Sequence, residues 1–311
     1  LSLAARTFSA NFIILPPTNV QLITYFILTY AVKLPIIWNM NLTCAYSTTS
    51  CTSCQDYYFF LSKFVFMKIR VQMMSYLSRS DIEKIATQVF NDYKHLPQFV
   101  DRQVDRVDPE ILACELCGLH IDYFHLSKDG LTLGMTAFKE VGVELYDDSG
   151  QPCFYYLDGR TLLIETDLKK NPALCGRYHF TLAHETAHQI LASLYSTNRL
   201  LQNRVVYYQG RSPQFPIRDW DEWQADNLAS ALLLPSEIVL GAIQKFNLEC
   251  GIDILNKIYR PKEYELFCKM TQFLGVSKQA MSIRLKRLGL LKKDYLQNPY
   301  ALADIEMEDD N

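Results

Sequence analysis

From Ser80 onward apolar residues recur at helical spacing, with Ile82, Ile85, Ala86, Val89 and Phe90 on one face, Ser80 placed to cap and Glu83 three residues on. The pattern predicts a first helix to about Tyr93. Pro109 opens a second helical stretch to Leu116, which Gly118 stops. The period then falls to two. Residues 120–126, 141–146, 153–157 and 161–166 alternate as strands, with the turn signals Asp147-Asp148-Ser149-Gly150 and Asp158-Gly159 between the last three, and predict a small antiparallel sheet.

Asn171-Pro172 supplies an N-cap and a first-turn proline for a long helix that carries residues 180–194. A polar connection, 198–216, follows, in which Val205-Val206-Tyr207-Tyr208 is expected to pack on the sheet or line a cleft. Residues 219–234 read as a helix stopped by Pro235, and Ser236 is placed to cap a further helix through Phe246. Residues 263–274 form another, ended by Gly275, before Val276-Ser277 leads into 278–288. The fold class is therefore α+β: a helical domain with a small antiparallel sheet, then a helical C-terminal region. The expected division is 67–247 and 248–298, with an acidic, disordered tail at 299–311.

Residues 1–66 depart from this picture. They hold only four charged residues, Arg6, Lys33, Asp56 and Lys63, yet the apolar run 20–32 is too short to span a bilayer and Pro16-Pro17 blocks its extension. Ala4-Ala5-Arg6 fits a secretory signal badly. We expect translation to start at Met67, Met73 or Met74, with no membrane attachment, so that an intact-mass measurement of the native protein finds residues 1–66 missing.

The 311 residues are 49% hydrophobic, enough for a substantial core, and a net charge of −3 argues against a surface built wholly for nucleic acid. Nine cysteines form an odd set without the dense spacing of a disulfide scaffold, which points to reduced thiols and the cytoplasm. Cys51/Cys54 and Cys114/Cys117 are too far apart in sequence for a zinc ribbon, and the second pair is expected to pack as small apolar residues.

The chemistry sits in His184-Glu185-Thr186-Ala187-His188. On a helix the two imidazoles lie four residues apart on one face and reach one metal ion, while Glu185 stands beside the metal as a general base for water must. His120 and His125 are read as ordinary strand residues. A third ligand is needed, and Glu222 and Asp226, again four residues apart, share a face with Ala225 and Ala229. One carboxylate completes the site and the other accepts the outer N–H of a ligand histidine. Tyr178, His179, Tyr207 and Tyr208 are by type the candidates for stabilising an oxyanion.

The segment 177–188, Arg-Tyr-His-Phe-Thr-Leu-Ala-His-Glu-Thr-Ala-His, followed by Glu222-Trp223-Gln224-Ala225-Asp226-Asn227-Leu228-Ala229 and Leu232-Leu233-Leu234-Pro235, resembles the ImmA/IrrE family of zinc metallopeptidases over about residues 108–245. Thr186 stands where that family more usually has Leu or Ile. The resemblance implies a gluzincin-type endopeptidase with Zn2+ held by His184, His188 and Glu222, Glu185 as catalytic base, and Asp226 behind the ligands. It also implies a bacterial setting and a protein substrate that is a helix-turn-helix transcriptional repressor of a mobile element or stress regulon. The rival reading is a regulatory DNA- or protein-binding factor whose zinc is structural. Helix, Gly-containing turn, capping Ser277 and second helix give the C-terminal region the outline of a helix-turn-helix, and Lys278, Arg284, Lys286, Arg287, Lys292 and Lys293 could meet phosphates, though DNA contact is not expected to dominate.

Overall fold

Helix α1 (Arg79–Lys94) begins at Ser78 rather than Ser80. The Ser78 hydroxyl accepts from the Asp81 N–H and the Asp81 carboxylate accepts from the Ser78 N–H, closing a capping box. Starting two residues earlier leaves Glu83 free for another partner, described below. The computed structural model describes residues 77–194, 205–209, 220–249 and 252–301, all within one unit, Asp56–Asn311. The expectations for residues 1–66, for Met67, Met73 and Met74, for Cys51/Cys54, for most of the 198–216 connection and for the acidic tail lie outside the described residues.

Asp108 caps α2 (Pro109–Ile111), which runs on as a π-helical turn, Leu112–Leu116, before Gly118 leaves it at φ 64°. Six strands follow: β1 (His120–Phe124), β2 (Gly134–Ala137), β3 (Glu140–Tyr146), β4 (Pro152–Asp158), β5 (Thr161–Glu165) and, later, β6 (Val205–Tyr208). The expected single antiparallel sheet is not what forms. A four-stranded sheet has the order β1-β5-β2-β6, with β1 parallel to β5, and β3–β4 makes a separate hairpin. Alternation fixes which side chains face inward, whereas the partner of each strand is settled by burial. Strand β5 is buried at every position and takes the interior place between β1 and β2.

The sheet has apolar side chains on both faces. Leu162 and Ile164 meet Tyr178 and Leu182 on one side, while Met135 and Leu163 meet Val143, Leu145 and Leu157 of the hairpin on the other. The layers are therefore helix, sheet, hairpin. The helix is α4 (Cys175–Leu194), reached through the short α3 (Thr166–Lys170) and a 3-10 turn capped by Asn171 as expected.

Helix α5 (Trp220–Leu233) crosses α4, and Ala183, Ala187, Ala225 and Ala229 are all fully buried in the core they share with α1. Small residues on both helices allow their axes a close approach. Ser236 is the first residue of α6 (Ser236–Lys245) and does not cap it, because Pro235 already holds the N-cap geometry. Helix α7 (Pro261–Leu274) ends at the left-handed Gly275, and Ser277 caps α8 (Lys278–Arg287) through the Ala280 N–H. A two-residue parallel pair, β7 (Ile254–Leu255) and β8 (Lys293–Asp294), closes this end.

The same hydrophobic core runs from Leu77 to Leu291, so ranges 67–247 and 248–298 share it. The His179 ring Nδ1 donates to the Gly275 carbonyl at 2.8 Å, and Gly176 lies so close to the turn that a Cβ there would sit 2.7 Å from the Ser277 nitrogen. Arg284, expected on the surface, is 1% exposed: it forms a two-pronged ion pair with Glu83 and donates Nε–H to the Leu234 carbonyl at 2.8 Å. Lys286 pairs with Asp294 at 2.6 Å. A basic run in sequence does not distinguish the inward face of a helix from the outward one.

Candidate metal centre

Helix α4 presents His184 and His188 one turn apart, both buried, and α5 brings Glu222 opposite them. The two Nε2 atoms lie 3.0 Å apart. Glu222 Oε2 is 3.2 Å from His184 Nε2, and Oε1 is 3.5 Å from His188 Nε2. An ion with four tetrahedral bonds of about 2.1 Å holds its ligands about 3.4 Å apart, so the three groups already stand at the edges such an ion requires. Asp226 Oδ1 accepts from His184 Nδ1–H at 3.1 Å, which fixes the tautomer whose Nε2 lone pair faces the metal position. The residues singled out in the sequence, His184, Glu185, His188, Glu222 and Asp226, thus come together.

The same residues are coupled electrostatically, and a metal ion would take the place of the proton that His184 otherwise holds. Burial opposes charge on His184, but the hydrogen bonds its ring donates to Asp226 and Glu222 outweigh it and raise its pKa to about 9; burial pushes His188 down. Burial works to raise Glu222 too, yet the two histidines hold it far below the usual carboxylate range. Glu222→Ala is expected to leave purified protein without stoichiometric metal by elemental analysis, and full metal content in that variant would remove Glu222 as a ligand.

Glu185 is fully buried, and neither carboxylate oxygen has a hydrogen-bond partner among the described residues. Burial raises its pKa to about 8. An orphaned buried carboxylate is costly unless a cation or bound water answers it, and the position beside the three ligands is where both arrive with a metal. The donor set and the orphaned carboxylate together fit a divalent ion.

Strand β2 completes the pocket. A Cβ on Gly134 would lie 2.5 Å from Glu185 Oε1 and 2.8 Å from Thr181 Cγ2, so only glycine lets the strand pass this close. Gln189 ties the same strand to α4 through the Thr136 hydroxyl and the Ala137 carbonyl. The sequence reading missed both Gly134 and Gln189; an isolated glycine beside strand-like residues was the available signal. Gly134→Ala is expected to lower stability by about 1–3 kcal/mol in thermal denaturation, through overpacking against Glu185.

The four oxyanion candidates separate. Tyr178 bonds Tyr123 and Glu110, and His179 bonds Gly275, so neither faces the metal. Tyr207 is exposed on β6, while the Tyr208 ring lies 4.2 Å from that of His184. Cys114 is exposed and Cys117 half-buried, the latter's thiol pushed up to about 12 by burial.

A second group, His125, Glu165 and Asp167, could also hold a metal by proximity. The oxygens of Glu165 are already engaged, accepting from His125 Nδ1 at 2.7 Å and from the Leu126 N–H at 2.9 Å. Partial burial opposes charge on His125, but the Glu165 hydrogen bond and charge prevail and hold its pKa above the ordinary 6.5. The folded state therefore binds this proton more tightly, and the stabilisation is full below the ordinary value and lost as pH rises through the raised one. The advantage of the wild type over His125→Gln in urea denaturation is expected to be full at pH values below the ordinary 6.5 and to shrink as pH rises above it.

The chain matches no family model and no curated protein. No single helix among the described residues is long and apolar enough to cross a membrane.

Proposed function

We propose that this chain is a zinc-dependent endopeptidase of the ImmA/IrrE type. The observation that carries the reading is the unpartnered, buried Glu185 carboxylate beside three converging ligand atoms. Two imidazoles and one carboxylate are the donor set of catalytic zinc, which leaves a coordination position open, and a structural site has no use for a free carboxylate next to it. A zinc ion held by His184, His188 and Glu222 would supply a Lewis acid for a peptide carbonyl and for water. Glu185 takes a proton from the attacking water at its carboxylate and returns it to the leaving nitrogen. Asp226 holds His184 in the ligating tautomer, and α5 carries Glu222 to its place.

The resemblance implies a protein substrate, a helix-turn-helix transcriptional repressor, and a bacterial cytoplasm as the setting. The internal pairing of Arg284 and Lys286 weighs against the rival reading of a DNA-binding factor with structural zinc. The test is incubation of the zinc-loaded full chain with helix-turn-helix repressors and with denatured casein, with and without chelator. Fragments that form only with metal support the reading; intact substrates beside a stoichiometrically loaded chain overturn it.

A further inference from the structure

The β3–β4 hairpin has a clean division of faces. Val143, Leu145 and Leu157 turn inward on the sheet, whereas Phe154 and Tyr156 turn outward, 86% and 67% exposed. A solvated hairpin face is ordinarily polar, and two neighbouring exposed aromatics at alternate positions of one strand form a compact apolar patch. The two strands flank it with carboxylates, while Lys128, from outside the hairpin, lies over the outward Tyr146 ring, 5.4 Å from its centroid. Across the ladder Glu144 stands opposite Phe154, Gly142 opposite Tyr156, and Glu140 opposite Asp158, so the outward positions of the two strands hold three carboxylates, of which Glu144 accepts from the Tyr146 hydroxyl at 3.0 Å. Glu140 and Asp158 stand directly opposite, but the Asp158 carboxylate already accepts from the Arg160 and Thr161 N–H groups and the Thr161 hydroxyl, which leaves Glu140 and Glu144 as the carboxylates that face a partner. Gly142 leaves the Tyr156 ring uncovered, since even an added Cβ would only just touch it.

We infer that this face is a docking surface for a basic protein segment in which Arg or Lys alternates with aromatic residues. Guanidinium groups lie over exposed rings and pair with the flanking carboxylates, an arrangement that uses both features of the face at once. The same carboxylates repel nucleic acid and anionic lipid. With helix, sheet and hairpin stacked at about 10 Å per layer, the face lies on the order of 20 Å from the metal-bearing helix, on the far side of the sheet. It is therefore a remote anchoring site, and its occupancy does not depend on the metal centre being hydrolytic.

The test uses the full chain and two labelled peptides, one alternating Arg and Tyr, the other Glu and Tyr, followed by fluorescence anisotropy. Wild type is expected to bind the Arg/Tyr peptide in a salt-sensitive manner, and Phe154→Ser with Tyr156→Ser to bind it roughly tenfold more weakly. Glu140→Lys with Glu144→Lys is expected to exchange the preference toward the Glu/Tyr peptide. Unchanged affinity in both variants overturns the proposal. So does a wild-type dimer that the serine variant splits, which assigns the face to a second copy, or binding to phosphatidylcholine vesicles that the serine variant loses.

Discussion

Glu185→Gln is expected to keep one metal ion per chain and to lose peptide hydrolysis by about 10²- to 10⁴-fold, the range a positioned general base contributes. The amide is close in shape to the carboxylate, so the fit against Gly134 and Thr181 survives. Glu185 ligates nothing in this arrangement, and His184, His188 and Glu222 retain their convergence. The substitution also removes an ionisable group that burial strains, since a carboxyl whose pKa is raised to about 8 loses folded-state stability as pH climbs from its ordinary 4.5 toward that value. Metal-free Glu185→Gln is therefore expected to unfold at a higher temperature than metal-free wild type at pH 8, and to lose that advantage near pH 4. Hydrolysis at the wild-type rate, with metal intact, would assign the proton transfers to another group.

Glu83→Ala is expected to cost about 3 kcal/mol in guanidinium denaturation, a large effect for a residue whose side chain is 43% exposed. The cost arises at the other end of the pair. Arg284 is buried, cannot shed its charge, and keeps only the Leu234 carbonyl once the carboxylate is gone. The partial exposure of Glu83 places the figure at the low end of the range for broken buried pairs. Glu83→Leu with Arg284→Met removes both charges and is expected to recover most of the loss. A change within 1 kcal/mol of wild type for Glu83→Ala would mean that water reaches Arg284.

The helix of the candidate metal centre was legible because its information is local: His184, Glu185 and His188 lie within five residues and helical geometry alone puts them together. Glu222 was legible only through chemistry, as the carboxylate that a two-histidine site lacks. What escaped depends on partners distant in sequence. Parallel pairing of β1 with β5 brings His120 opposite Thr161, and nothing in either alternating strand announces the other. Gly134–Ala137 is too short to show a period. Arg284 read as a surface cation because its partner lies some two hundred residues upstream, at a position that local capping logic had already assigned to Ser80.

Gly134 and Glu185 together set how far the carboxylate can move. The carboxylate is confined by the shape of a strand backbone and not tethered by hydrogen bonds. A tethered carboxylate would have to break its bonds each time it passed a proton from one atom to another. Glu185 has none to break among the described residues, so in the proposed reaction its transfers require only a small pivot about its own side-chain torsions.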